Sequence, residues 1–226
     1  MFKRKLTTSD FLLITVNLIP LYGVWFEGWD AARMFLVYCL ETILIGIFNV
    51  IKMVAVTLFV KPTDNWENAG NTSKMSGWFF IFFFIFHYGI FVSVQTGIFF
   101  QVSRLFEGIS IFNTLTAIPQ ILGTEGQLML LIFLMYYMLQ TLSGFFFSGE
   151  YKTITMGKLM FQPYGQIFIQ QFVVILGSLF LGMGATKIFM LIFVGIKIFF
   201  ELFINFAFMQ QEMEKKKFKE QQNILQ

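Results

Sequence analysis

The chain has one cysteine, Cys39, and one histidine, His87, among its 226 residues. A single cysteine excludes an intrachain disulfide and any multi-cysteine metal site. A single histidine excludes bis-histidine haem and the multi-histidine di-metal cages of helical bundles. Charge is scarce too. Asp, Glu, Lys and Arg make up 13% of the chain, against about 25% in soluble domains. No polar stretch is long enough for a soluble domain, and no internal repeat supports the inverted-repeat architecture of many transporters. Nothing in the sequence calls for a cofactor, a metal or a nucleic-acid partner.

What is present is apolar. Hydrophobic residues supply 57% of the chain, 33 positions are Phe, and the mean hydropathy is +0.71. A membrane span needs about 20 predominantly apolar residues. The qualifying segments are 10–27, 31–60, 76–104, 126–148, 163–184 and 186–210. The predicted fold is therefore all-α: an integral membrane bundle of six transmembrane helices over residues 1–210, followed by a short charged tail, 211–226. Residues 105–122 are too interrupted to span and are expected to form an interfacial amphipathic helix ended by Pro119. The 61–75 segment, with Lys61-Pro62-Thr63-Asp64-Asn65 and Ala69-Gly70-Asn71-Thr72-Ser73, reads as a turn-rich loop.

Basic residues set the expected orientation. With the N-terminus inside, eleven Lys and Arg fall in inside segments: Lys3, Arg4, Lys5, Lys61, Lys74, Lys152, Lys158, Lys215, Lys216, Lys217 and Lys219. Outside segments hold Arg33, Arg104 and Lys187. Both termini are thus expected in the cytoplasm, in a multi-pass protein of the cell inner (plasma) membrane. The opening Met1–Lys5 and its apolar run resemble a secretory signal, but no small-x-small cleavage site follows, so a retained first helix is expected. Trp25, Trp29, Trp66 and Trp78 fall near span ends, where indoles prefer the interface.

Charges inside spans are the most informative feature. Each costs ~2.5–3.5 kcal/mol at the bilayer centre on insertion scales, so such residues face a bundle interior and take partners. On a helix, Glu41, Asn49 and Lys52 fall at about 0°, 80° and 20°, one stripe, with Glu41 and Lys52 ~16 Å apart along the axis. In the last span Lys197, Glu201 and Asn205 follow at i, i+4 and i+8, so Lys197 and Glu201 can touch. Matching signs and depths pairs Glu41 with Lys197, and Lys52 with Glu201 beside His87. Asn49, His87, Gln170, Gln171, Lys52 and Glu201 form one expected layer just inside the midplane. In the third span Gly89, Ser93 and Gly97 recur every four residues, a small-residue stripe expected to pack closely on another helix.

Asn17-Leu18-Ile19-Pro20-Leu21-Tyr22-Gly23-Val24, Gly28-Trp29, Glu41 through Ile45-Gly46, and Phe48-Asn49-Val50-Ile51-Lys52-Met53 together resemble a family of prokaryotic multi-pass membrane proteins known only as a domain of unknown function. His87-Tyr88-Gly89-Ile90-Phe91 and Pro163-Tyr164-Gly165-Gln166-Ile167 are similar to later motifs of that family. The resemblance implies that Glu41, Asn49, Lys52 and His87 belong to a family pattern; it implies no activity. Three functions stay open: a transporter or channel-like protein binding a proton, ion or small polar solute at the polar layer; a structural or accessory subunit of a membrane complex; and a membrane-embedded enzyme using His87 and Glu201. The lipid bilayer is the expected surrounding, with a membrane-protein partner or a homo-oligomer as open alternatives.

Overall fold

The computed structural model describes residues 7–60, 64–68, 71–103, 105, 107–108, 113–165, 167–168 and 187–202. Its long elements are helices α1 (Thr8–Phe26), α2 (Ala31–Phe59), α3 (Gly77–Ser103) and α4 (Thr114–Gln140), and α4 runs on through a π-helical turn, Thr141–Phe147. A short helix α5 (Met156–Phe161) and a helical stretch α6 (187–202) follow. Among the described residues, four stretches are long and apolar enough to cross a membrane: Thr8–Phe26, Ala31–Phe59, Gly77–Gln101 and Thr116–Phe147. The expected span 163–184 lies largely outside the described residues, and of 186–210 the part 187–202 is described.

Local chemistry sets the helix starts. Thr7 caps α1 by a capping box, its side chain accepting from Asp10 N–H while the Asp10 carboxylate accepts from Thr7 N–H at 2.7 Å. Asp30 caps α2 by accepting from Arg33 N–H at 2.8 Å. The turn between them is built by three residues of the Gly23…Gly28-Trp29 pattern. Gly28 adopts φ +73°, the left-handed region that favours glycine. Trp29 folds back and donates its backbone N–H to Gly23 carbonyl oxygen at 3.0 Å. Its indole lies flat on Gly23, where any Cβ would meet the ring.

Two expectations are corrected. The 61–75 loop contains an antiparallel hairpin of β1 (Asp64–Asn68) and β2 (Asn71–Met75), in register from Asp64 with Met75 to Asn68 with Asn71. Pro119 ends nothing: it lies inside α4, and the break comes at Gly123, whose φ of 64° and ψ of −173° only glycine adopts readily. Proline removes one hydrogen bond from a helix, whereas Gly123 turns the backbone out of the helical region altogether. At the Gly89–Ser93–Gly97 stripe, a Cβ on Gly89 or Gly97 would meet nothing within 4 Å among the described residues, and most of the expected span 163–184 lies outside them. The close approach is made from α2 instead, where a Cβ on Gly46 would stand 2.5 Å from the Tyr88 ring.

Helix α2 is the centre of the molecule. It packs on α1, α3, α4 and α5, and its residues Met34 to Thr42 are buried without interruption. One core, around Tyr38, Phe133 and Phe193, joins α1, α2, α4 and α6 with Phe99 near the end of α3. A second, around Met53, Phe84 and Met156, joins α2, α3, α5 and the π turn. The phenylalanines left over point outward, Phe82 and Phe86 of α3 among them, as lipid permits and water would not.

Gly23→Val should lower the melting temperature in detergent by the equivalent of about 1–3 kcal/mol of overpacking, with partial recovery when Trp29→Ala is added. Gly97→Ala should stay within about 0.5 kcal/mol of the parent, as an unconstrained position does. Equal losses at Gly23 and Gly97 would contradict this packing.

Candidate functional site

The buried stretch of α2 carries a carboxylate, Glu41, that is fully shielded from solvent. A charge placed there needs partners from neighbouring helices. The structure supplies them from three. Lys197 of α6 places its Nζ 3.0 Å from Glu41 Oε1, 2.8 Å from Glu201 Oε1 one turn along its own helix, and 2.7 Å from Asn17 Oδ1 of α1. An ammonium has three N–H donors, and all three are used. The Tyr38 and Phe133 rings lie 5.3 and 5.7 Å from the same nitrogen, adding the attraction of a cation for aromatic faces.

A second layer orients these groups. Asn17 donates from Nδ2 to the Leu13 carbonyl oxygen at 2.9 Å and to Glu201 Oε2 at 3.5 Å, which turns its Oδ1 toward the lysine. Tyr38 donates to the Asn17 carbonyl oxygen at 2.8 Å, locking α1 to α2. Tyr137 of α4 donates to Glu41 Oε1 at 2.7 Å. Glu41 Oε1 therefore accepts from both Lys197 and Tyr137, while its Oε2 accepts from no donor among the described residues.

Lys197 occupies the space between the carboxylates that a bound cation would take. With both glutamates ionised the cluster carries one net negative charge in a low-dielectric core. Its chemistry is that of a proton acceptor. Among the described residues it holds no serine, threonine or cysteine nucleophile, and the hydroxyls of Tyr38 and Tyr137 are committed to the contacts above.

Lys52 does not join this cluster, and the expected Lys52–Glu201 pair does not form. Glu201 meets Lys197 at the level of Glu41, and eleven residues of α2 set Lys52 ~16 Å further along. Lys52 Nζ stands instead over the Phe145 ring at 5.6 Å, in the field of Glu150. Asn49 donates to the Leu159 carbonyl oxygen at 2.9 Å, fastening α2 to α5. His87 bonds elsewhere again: its Nδ1 lies 2.6 Å from Tyr164 Oη and its ring stacks on Phe83. The expected single layer is thus three separate groups. Gln171 and Asn205 lie outside the described residues, as does Gln170. Glu201 and His87 fall in different groups, with no contact joining them.

Between Lys52 and the cluster lies a cavity of about 70 Å³, lined on its polar side by Asn49, Lys52, Tyr136, Tyr137, Gln140 and Gln162. Tyr137 thus touches both, lining the cavity while its hydroxyl donates to Glu41. Reading the residues alone missed Asn17, Tyr38 and Tyr137 as members of the cluster. Asn17 carried a signal, being the one amide in an otherwise apolar first span; the tyrosines are neutral aromatics, which spans use freely.

Long apolar helices packed round a buried ion cluster define a helical membrane protein. A family model described as "Family of unknown function (DUF6498)" matches residues 1–222, and the chain belongs to that family. No curated protein and no solved structure matches it.

Breaking the cluster from one side should strand charge. Lys197→Met leaves two buried carboxylates and should cost about 3–5 kcal/mol of stability. The triple change Lys197→Met with Glu41→Gln and Glu201→Gln should be milder than that single change, read by thermal unfolding in detergent. Strictly additive losses would contradict a shared ion cluster.

Proposed function

We propose that the protein is a transporter or channel-like protein of six spans, with both termini in the cytoplasm, in which the Glu41–Lys197–Glu201 cluster holds one exchangeable proton. The observation that carries this reading is the ratio of two buried carboxylates to one ammonium. A net charge in such a core is costly, and one proton on a carboxylate removes it. The free Oε2 of Glu41 is the acceptor best placed to receive that proton.

A route supports exchange. Under the proposed orientation the C-terminal ends of α2 and α4 and the N-terminal end of α1 face the cytoplasm, and the cavity beside Lys52 lies toward that half. Tyr137 lines that cavity, and its hydroxyl is one hydrogen bond from Glu41. A hydroxyl between a wet cavity and a carboxylate passes a proton by donating one and accepting another.

A structural role in a membrane complex is the second reading. It is favoured by the full use of the three Lys197 donors, which ties α1, α2 and α6 together whether or not a proton moves.

In proteoliposomes carrying an internal pH dye and an imposed potential, the parent chain should pass protons, and both Glu41→Gln and Tyr137→Phe should reduce the flux at least tenfold. Flux at the empty-liposome level in the parent would favour the structural role. Reporter fusions at residue 226 and within the hairpin should both report cytoplasm; an external signal from either would overturn the orientation.

A further inference from the structure

The cavity that touches Tyr137 also holds Lys52, a half-buried cation with no matching anion at contact. Among the described residues no carboxylate stands within 4 Å of Lys52 Nζ. Glu150 acts on it from beyond contact range, and the Phe145 ring at 5.6 Å offers only a diffuse negative face. Among the described residues no acidic side chain lines the cavity.

What lines it are donors and neutral groups. Lys52 has three N–H donors, and the Gln140 and Gln162 amides carry two each. Asn49 Nδ2 is engaged by the Leu159 carbonyl oxygen at 2.9 Å and by Met53 Sδ at 3.7 Å, so the proposal draws nothing from it. The Tyr137 hydroxyl proton is committed to Glu41. The cavity lies where α4 passes into its π-helical turn: Gln140 is the last α-helical residue, and Phe145 under Lys52 belongs to the turn. Single π turns inside helices recur at functional sites.

A cavity of about 70 Å³ takes one small ion with a few waters, each water needing roughly 10–15 Å³ of such space. From the ammonium, the two glutamine amides that line the cavity, the lack of a carboxylate among the described lining residues, and the size, we infer that this cavity binds a small monovalent anion, of halide size, at Lys52. The site is distinct from the proton on Glu41, and either can fail without the other, because anion binding is read at fixed pH and needs no flux.

The test is chloride added to the detergent-solubilised full chain at constant ionic strength, with gluconate as the balancing anion. The melting temperature should rise saturably with chloride, as expected for a ligand that binds the folded state alone. Lys52→Gln should abolish that dependence, and Gln140→Ala should weaken the apparent affinity about tenfold, the loss of one hydrogen bond to a charged group. A chloride-independent melting temperature in the parent, or an unchanged chloride response in Lys52→Gln, would overturn the assignment. Should Lys52→Gln fail to fold, bromide soaked into crystals of the parent decides the matter. An anomalous peak beside Lys52 Nζ supports the site, and an empty cavity at saturating bromide removes it.

Discussion

Three hydrogen bonds from one lysine organise this molecule. Lys197 Nζ reaches Asn17 on α1, Glu41 on α2 and Glu201 on its own helix, and Tyr137 brings α4 to the same carboxylate. In lipid, helices gain little from burying apolar surface against one another, since the tails are as apolar as leucine. Apolar packing here leaves large Phe and Ile side chains of α3 outside and gives no strong preference for one arrangement of helices. An ion cluster does. An ammonium pulled from its partners in a low-dielectric core is far costlier than a shifted phenylalanine, so register and rotation of α1, α2, α4 and α6 are set where their polar groups meet.

The motif residues in the first two helices acquire separate physical roles from this arrangement. Gly23, Gly28 and Trp29 build the turn that returns the chain from α1 to α2. Asn17 and Glu41 enter the cluster. Gly46 is bare because Tyr88 lies across it and donates to the Thr42 carbonyl oxygen at 2.7 Å. Asn49 ties α2 to α5, and Lys52 stands in the cavity. Pattern and chemistry are therefore not the same list: the turn and the helix contacts are architecture, while Asn17, Glu41 and Lys52 carry polarity into the core.

Much of this was legible in the residues. Helix existence follows from long apolar runs, and the ends of α1, α2 and α3 fall within three residues of the expected ones. The contact of Glu41 with Lys197 was legible because opposite signs sat at similar depth. The contact of Lys52 with Glu201 was misread for an instructive reason. Depth taken from the centre of each span slides by a turn or more when span ends are uncertain, and one turn is enough to exchange partners. The nearer cation, Lys197 on the same helix, then takes Glu201. Small residues permit close packing without causing it: among the described residues the close approach falls at Gly46, under Tyr88, and not at Gly89 or Gly97. Gly123 was passed over for Pro119, although a glycine forced to φ 64° is the stronger break. The tyrosines of the cluster could not be read at all, since nothing in an apolar span distinguishes a hydroxyl with a partner from a ring that merely fills space.

The claim on which the functional account turns is that the cluster holds a proton on a carboxylate while it remains buried. Infrared difference spectroscopy of the reconstituted chain, stepped between acidic and alkaline buffer, reads that group directly through the carbonyl stretch of a protonated carboxylic acid. The account predicts a carboxylic-acid band that appears at the acidic step, shifts on transfer to heavy water, and vanishes in Glu41→Gln while the fold is retained. A spectrum without such a band, or one in which Glu41→Gln leaves the band intact, would contradict it.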